Sequence, residues 1–139
     1  MATFNKFNSF VEALAEKVHN LGSDTLKVVL TNSAPVATNT QLSDITQIAS
    51  GNGYTTGGTQ ATQVSSAQTS GTYKLVLNDV TFTASGGSIA TFRYVVLYND
   101  TATNDELIGY YDYGTTLTIT SGNSFTVDFD GSAGVLTIA

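Results

Sequence analysis

Residues 92–98 read Phe92-Arg93-Tyr94-Val95-Val96-Leu97-Tyr98. Aromatic and β-branched types dominate the run, and they fit a pleated, buried surface better than a helix. An extended backbone places Phe92, Tyr94, Val96 and Tyr98 on one face and Arg93, Val95 and Leu97 on the other. Working outward, the same period of two recurs. Downstream, Leu107, Gly109, Tyr111 and Tyr113 alternate, Gly114 reads as a turn, and Leu117 and Ile119 belong to a further strand. Ser121-Gly122-Asn123 turns the chain towards Phe125, Val127 and Phe129, and Asp130-Gly131-Ser132 is the last turn before Val135–Ala139.

Upstream, Ser85-Gly86-Gly87-Ser88 reads as a hairpin turn, and Tyr73, Leu75 and Leu77 alternate before it. Asn78-Asp79 interrupts the phase, which Val80 and Phe82 resume, as a bulge does. Residues 59–67 are polar and β-prone, the signature of an edge, and Leu26, Val28 and Leu30 mark the first alternating run. About eight strands joined mostly by short turns, with no intervening helices, predict antiparallel pairing. The fold class expected is all-β: an antiparallel β-sandwich, jelly-roll-like, preceded by one N-terminal α-helix.

That helix rests on Phe7, Val11, Leu14 and Val18, spaced by four, three and four, with Phe10 widening the stripe. Ser9 and Glu12 have capping-box spacing, Lys17 and His19 suit the C-terminal dipole, and Gly22 supplies a left-handed end. The spacing predicts about 12–16 helical residues. The expected organisation is therefore one domain: a helix within residues 1–22 and a sandwich over 23–139. Between strands, residues 32–58 form a long irregular connection, in which Leu42, Ile45 and Ile48 suggest a helical turn pinned to the core.

Composition limits the chemistry. Of 139 residues only 12% are charged, about half the usual share, while 23 are threonine. There is no cysteine, which excludes disulfides, thiol nucleophiles and thiolate metal sites. The net charge of −6 and five scattered basic residues argue against nucleic acid and against anionic membrane surfaces. No apolar run approaches a membrane span of about 20 residues, and the polar-interrupted N-terminus is unlike a signal peptide. Synthesis in the cytoplasm is the expectation.

His19 is the single histidine, beside Asn20, so triads and histidine metal sites lack partners. Gly51, Gly53 and Gly57 superficially suggest a dinucleotide loop but lack its spacing and its flanking strand and helix. Asp128 with Asp130, and Asp100 with Asp105 and Glu106, lack the spacing of a calcium loop and read as turn and outer-face residues. No catalytic residue, cofactor or metal is expected. The tyrosines stand out: Tyr94, Tyr98, Tyr110, Tyr111 and Tyr113 lie within twenty residues, and Tyr110 and Tyr111 must face opposite ways.

Several strings carry a resemblance: Met1-Ala2-Thr3-Phe4-Asn5-Lys6-Phe7, Phe10-Val11-Glu12-Ala13-Leu14-Ala15-Glu16-Lys17-Val18-His19-Asn20-Leu21, Asn52-Gly53-Tyr54, the run from Phe92 to Asp100, and Phe125-Thr126-Val127-Asp128-Phe129. Together they resemble a widespread group of small proteins encoded by tailed bacteriophages. The resemblance implies a phage-borne origin; by size and fold class the chain is also similar to capsid decoration (cement) proteins. It implies a non-enzymatic virion protein on the head surface, homo-oligomeric there and bound to the major capsid protein or other virion proteins. The contact residues expected are Phe4, Phe7, Phe10, Val11, Leu14, Val18, Tyr54, Tyr110 and Tyr111. The alternatives are a tail tube, tip or fibre module, and a carbohydrate-binding module that uses the tyrosines and the Gly51–Gly58 loop; a glycosidase ranks last.

Overall fold

Alternation of apolar residues produces ten strands in a computed structural model, which describes residues 2–139. In chain order they are β1 (Phe4–Lys6), β2 (Leu26–Thr31), β3 (Thr59–Gln60), β4 (Gln63–Thr69), β5 (Thr72–Leu77), β6 (Val80–Thr83), β7 (Ile89–Asn99), β8 (Leu107–Ile119), β9 (Ser124–Val127) and β10 (Leu136–Ile138). A short helix α1 (Ser9–Ala15) follows β1, and one 3₁₀ turn (Leu42–Asp44) lies in the long connection. A five-stranded sheet has the order β1-β8-β7-β2-β3, opposed by β10-β5-β4 and β6-β9. All pairings are antiparallel.

The pairs β5·β10, β6·β9 and β7·β8 are nested. The second half of the chain is thus one long ribbon folded over between layers, the way jelly-roll sandwiches are wrapped. Ser85–Ser88 is consequently no hairpin turn, because β6 pairs with β9 and the chain crosses layers there. Asn78-Asp79 is likewise more than a bulge: it marks the change of sheet between β5 and β6. The Asp79 side chain accepts a hydrogen bond from the Phe129 amide at 2.9 Å and carries the ribbon across the gap.

The five-stranded sheet is buried on both faces. Leu26, Val28, Leu30, Phe92, Leu97 and Ile108 face the smaller sheets, where Leu75, Leu77, Val80 and Phe82 meet them. The reverse face carries Val29, Val96, Tyr98 and Leu107, covered by Phe7 and by Ile45 of the long connection. The 3₁₀ turn and buried Ile45 and Ile48 pin that connection, as their spacing implies. Phe92 does not share a face with Val96 and Tyr98, because the register of β7 against β8 jumps from Phe92↔Leu117 to Tyr94↔Asp112. Three surplus residues of β8 bulge out there, with Gly114 at φ +93° inside a continuous strand rather than at a turn.

The N-terminal segment departs most from expectation. The helix has seven residues, and Asn8 precedes it without a side-chain cap, so Ser9 and Glu12 form no capping box. Lys17 (φ +67°), not Gly22, takes the left-handed position: the Val18 amide bonds Ala13 O at 2.8 Å and the Lys17 amide bonds Leu14 O at 3.4 Å. Before the helix, β1 pairs with β8, and Gly109 makes that approach possible. A Cβ on Gly109 would stand 2.8 Å from Asn5 O and closer still to the Phe4 ring.

Gly109→Ala is therefore expected to destabilise the protein by about 1–3 kcal/mol. Exchange protection of the β1 amides should fall with it. An unchanged denaturation midpoint would show that β1 is not seated as described.

Candidate contact surface

Two sheets end on the same side of the molecule. β1 closes the larger sheet and β10 the three-stranded one, so each offers an unpaired edge. α1 lies beside both, and together they enclose an apolar groove of about 580 Å³. Phe4, Phe10, Val11, Leu14, Leu136 and Ile138 line it, with Lys6 among them. Val11 is 52% exposed and Ile138 41%, a large apolar exposure for side chains on ordered elements. The amphipathic stripe read from the sequence is thus divided. Phe10 is buried in the core and Leu14 half-buried against it, whereas Val11 points outward and Val18 is half-buried.

The other expected contact residues are placed differently. Phe7 is fully buried under the sheet, with its ring 5.3 Å from Tyr110. Tyr54 is 1% exposed, and its hydroxyl accepts from the Leu30 amide at 3.3 Å and donates to Gln47 Oε1 at 2.8 Å. Tyr98 donates to Gly57 O at 2.7 Å, so the glycine-rich loop is stitched to the sandwich from two sides. Phe7 and Tyr54 are therefore spent on the fold: Phe7 covers the reverse sheet face beside Ile45, and Tyr54 packs in the main core with its ring 5.8 Å from Phe82. Tyr110 and Tyr111 do face opposite ways, and both are half-buried. Tyr111 packs between Phe4 at 5.5 Å and Phe129 at 6.1 Å.

A second concavity of about 440 Å³ opens over the β8 bulge, with Tyr111, Tyr113, Phe125 and Asp128 in its wall. Arg93 holds the bulge from below, its Nε and Nη2 donating to both carboxylate oxygens of Asp112 at 2.8 and 3.0 Å. Asp112 Oδ1 also accepts from the Gly114 amide at 2.8 Å. The arginine and this amide hold the Asp112 carboxyl below the usual carboxylate range. Tyr113 is 49% exposed and stands edge-on to Phe125 at 5.6 Å. Tyr113 belongs to the tyrosine set singled out in the sequence but not to the expected contact residues; a glycine inside an alternating run, here Gly114, signals a bulge, and bulges re-aim side chains.

The remaining acids are local. Asp130 accepts from the Ser132 and Ala133 amides at 2.8 and 2.7 Å, and these bonds hold its carboxyl low. Asp100 pairs with Lys27 at 3.1 Å. Burial, then the neighbouring Asp100 and Glu106 carboxylates, raises Asp105. Among the described residues, no three His, Asp or Glu side chains stand close enough together to hold a metal ion. His19 is not a solvent-facing helix end; it is 5% exposed. The chain matches no protein-family model, no curated protein and no solved structure.

Three tyrosines report this packing. Burial pushes Tyr54 up to about 12 and, with help from Asp130, Tyr111 up to about 12. Burial and the Asp100 and Asp105 carboxylates push Tyr98 higher still. Their phenols are neutral in the fold and ionise near pH 10 once exposed, so they support stability below about pH 10 and lose it as pH climbs towards the folded values. Phenolate absorbance at about pH 11 should show these three still protonated until the chain unfolds. Ionisation of all seven tyrosines together near pH 10 would contradict the burial described.

Proposed function

We propose that the chain is a non-enzymatic structural protein of a tailed-phage virion, a decoration protein that seats on the major capsid protein. The observation that carries a contact-making role is the groove between β1, α1 and β10, with two open sheet edges and the exposed Val11 and Ile138. Apolar surface of this kind, fixed on ordered elements, suits burial against another protein. Either edge can add a strand of a partner through main-chain hydrogen bonds. What supports a phage origin is the resemblance in residues 1–7, 10–21, 30–37, 52–54, 71–75, 92–100 and 125–129. The rest of the surface fits such a task, since threonine side chains hold pleated strands without adding charge. Thr81 with Thr126, Thr83 with Ser124 and Thr91 with Thr118 hydrogen-bond across strands at 2.9, 2.8 and 2.6 Å.

The reading as a glycan-binding module has one observation in its favour, the exposed Tyr113 ring on its braced bulge beside Asp128. Aromatic faces stack on sugar rings, and a carboxylate accepts from sugar hydroxyls. It ranks second because most of that concavity is apolar, with Val95, Phe125 and Val127 in its lining.

Purified particles of the encoding phage should carry the chain in hundreds of copies. Val11→Asp and Ile138→Asp change exposed positions, so each should fold within about 0.5 kcal/mol of the parent. Binding to particles that lack the protein should weaken at least tenfold, about 1.4 kcal/mol. Undiminished binding by both variants removes the groove from the contact. Absence from particles, together with glycan binding that Tyr113→Ala abolishes, selects the second reading.

A further inference from the structure

The segment between α1 and β2 is fastened to the sandwich by a buried polar knot. Asn99, the last residue of β7, is fully buried and uses its whole amide. Its Oδ1 accepts from the backbone amides of Thr101 at 2.9 Å and Ala102 at 3.2 Å. Its Nδ2 donates to Asp24 Oδ2 at 2.7 Å and stands 3.0 Å from His19 Nδ1. Asp24 Oδ2 accepts in turn from the Asn20 amide at 2.8 Å. Gln63 Nε2, from β4, donates to the carbonyls of Leu21 at 3.1 Å and Asp24 at 2.7 Å.

These partners settle the protonation state of His19. Turning the Asn99 amide over would aim its NH₂ at two backbone N–H groups and its oxygen at the Asp24 carboxylate. The NH₂ therefore faces the imidazole, and Nδ1 must accept. The ring is neutral, with its proton on Nε2, and Nε2 is buried without a hydrogen-bond partner. The Phe10 ring of α1 lies against the imidazole, 5.4 Å between centroids. The charged and titratable groups around it are Asp24 on its own segment, Glu106 before β8, and Lys17 and Tyr73 in the same surface hollow. Burial outweighs the pull of Glu106 and Asp24 and holds the imidazole below its ordinary value.

We propose that His19 is an acid-released clasp that holds the N-terminal arm, β1 and α1, on the sandwich. A proton taken up at Nδ1 turns that nitrogen from acceptor to donor, so N–H faces N–H across the 3.0 Å contact. A cation then sits beside Phe10 with no acceptor at either ring nitrogen, and desolvation penalises it further. The ring charges at its ordinary value, about 6.5, once the segment lifts away. The seated arm thus keeps its full stability above about pH 6.5 and loses it as pH falls through the lower folded value. The loss is about tenfold in the docking equilibrium for each unit between the two values. This device is independent of the partner proposed above.

Because His19 is the single histidine, its ring-proton resonances in NMR titrate without overlap. The expected result on the full chain is a midpoint below 6.5, with amide exchange over residues 4–18 speeding up across the same range while β2 and β7 stay protected. His19→Gln keeps an oxygen to accept from Asn99 but cannot titrate, so arm exchange, corrected for intrinsic rate, should become flat between about pH 8 and 5. A midpoint at or above 6.5, or an arm that loosens equally in His19→Gln, overturns the clasp. The latter result would assign the acid sensitivity to carboxylates such as Asp105. If the variant fails to fold, the wild-type midpoint and exchange profile decide alone.

Discussion

The central strands β2 and β7 carry apolar side chains on both faces, and the rest of the molecule follows from covering each. Val28, Leu30 and Leu97 demand one layer, Val29, Val96 and Tyr98 another. Each fully buried side chain of this size is worth about 1.5–3 kcal/mol, so neither face can be left wet. The folded-over ribbon of β5, β6, β9 and β10 supplies the first layer. No sheet covers the second; a loop does. A long loop brings unpaired backbone with it: Gln47 Oε1 accepts from the Gly57 amide and Tyr98 donates to the Gly57 carbonyl, while the Tyr54 hydroxyl ties the loop to the Leu30 amide of β2. The 32–58 connection is long because it is a lid for a sheet face.

The same requirement recruits the N-terminus and then leaves it exposed. Phe7 is pulled under the sheet and Phe10 into the core, so β1 and α1 are drawn across the side of the sandwich. Once those two rings are seated, the outward residues of the arm have nothing from this chain above them. Val11, Ile138 and the edges of β1 and β10 form the surface that results. The interior anchors set where this apolar surface lies, and the His19–Asn99 contact ties the segment after α1 to the end of β7.

Much of this was legible in the sequence. Period-two alternation placed the strands from β2 onward, the polar, β-prone run over 59–67 marked the edges β3 and β4, and Leu42, Ile45 and Ile48 marked the pinned turn. Pairing was less legible, because β6 finds β9 through layers of core and not through the Ser85–Ser88 turn between neighbours. The phase of β7 was lost where an Arg93–Asp112 pair supports three surplus residues that no local pattern records. Helix length was overestimated because residues at helical spacing served two layers: Phe7 belongs to the outer cluster and Phe10 to the main core. His19 was misread for a similar reason. Its position beside Asn20 at the end of a helical stripe suggested solvent, yet its ring meets Asn99, eighty residues away in sequence and fully buried at a strand end. A buried amide closing an apolar strand is the signal that points to such a knot.

If the chain is the proposed decoration protein, a side-chain-resolution reconstruction of the encoding phage's particle decides whether the β1–α1–β10 face meets the capsid. The expected density shows copies of the sandwich on the outside of the head, with Val11 and Ile138 against the capsid protein and the Tyr113 bulge turned away. Copies seated through another face, with the groove open to solvent, would contradict it.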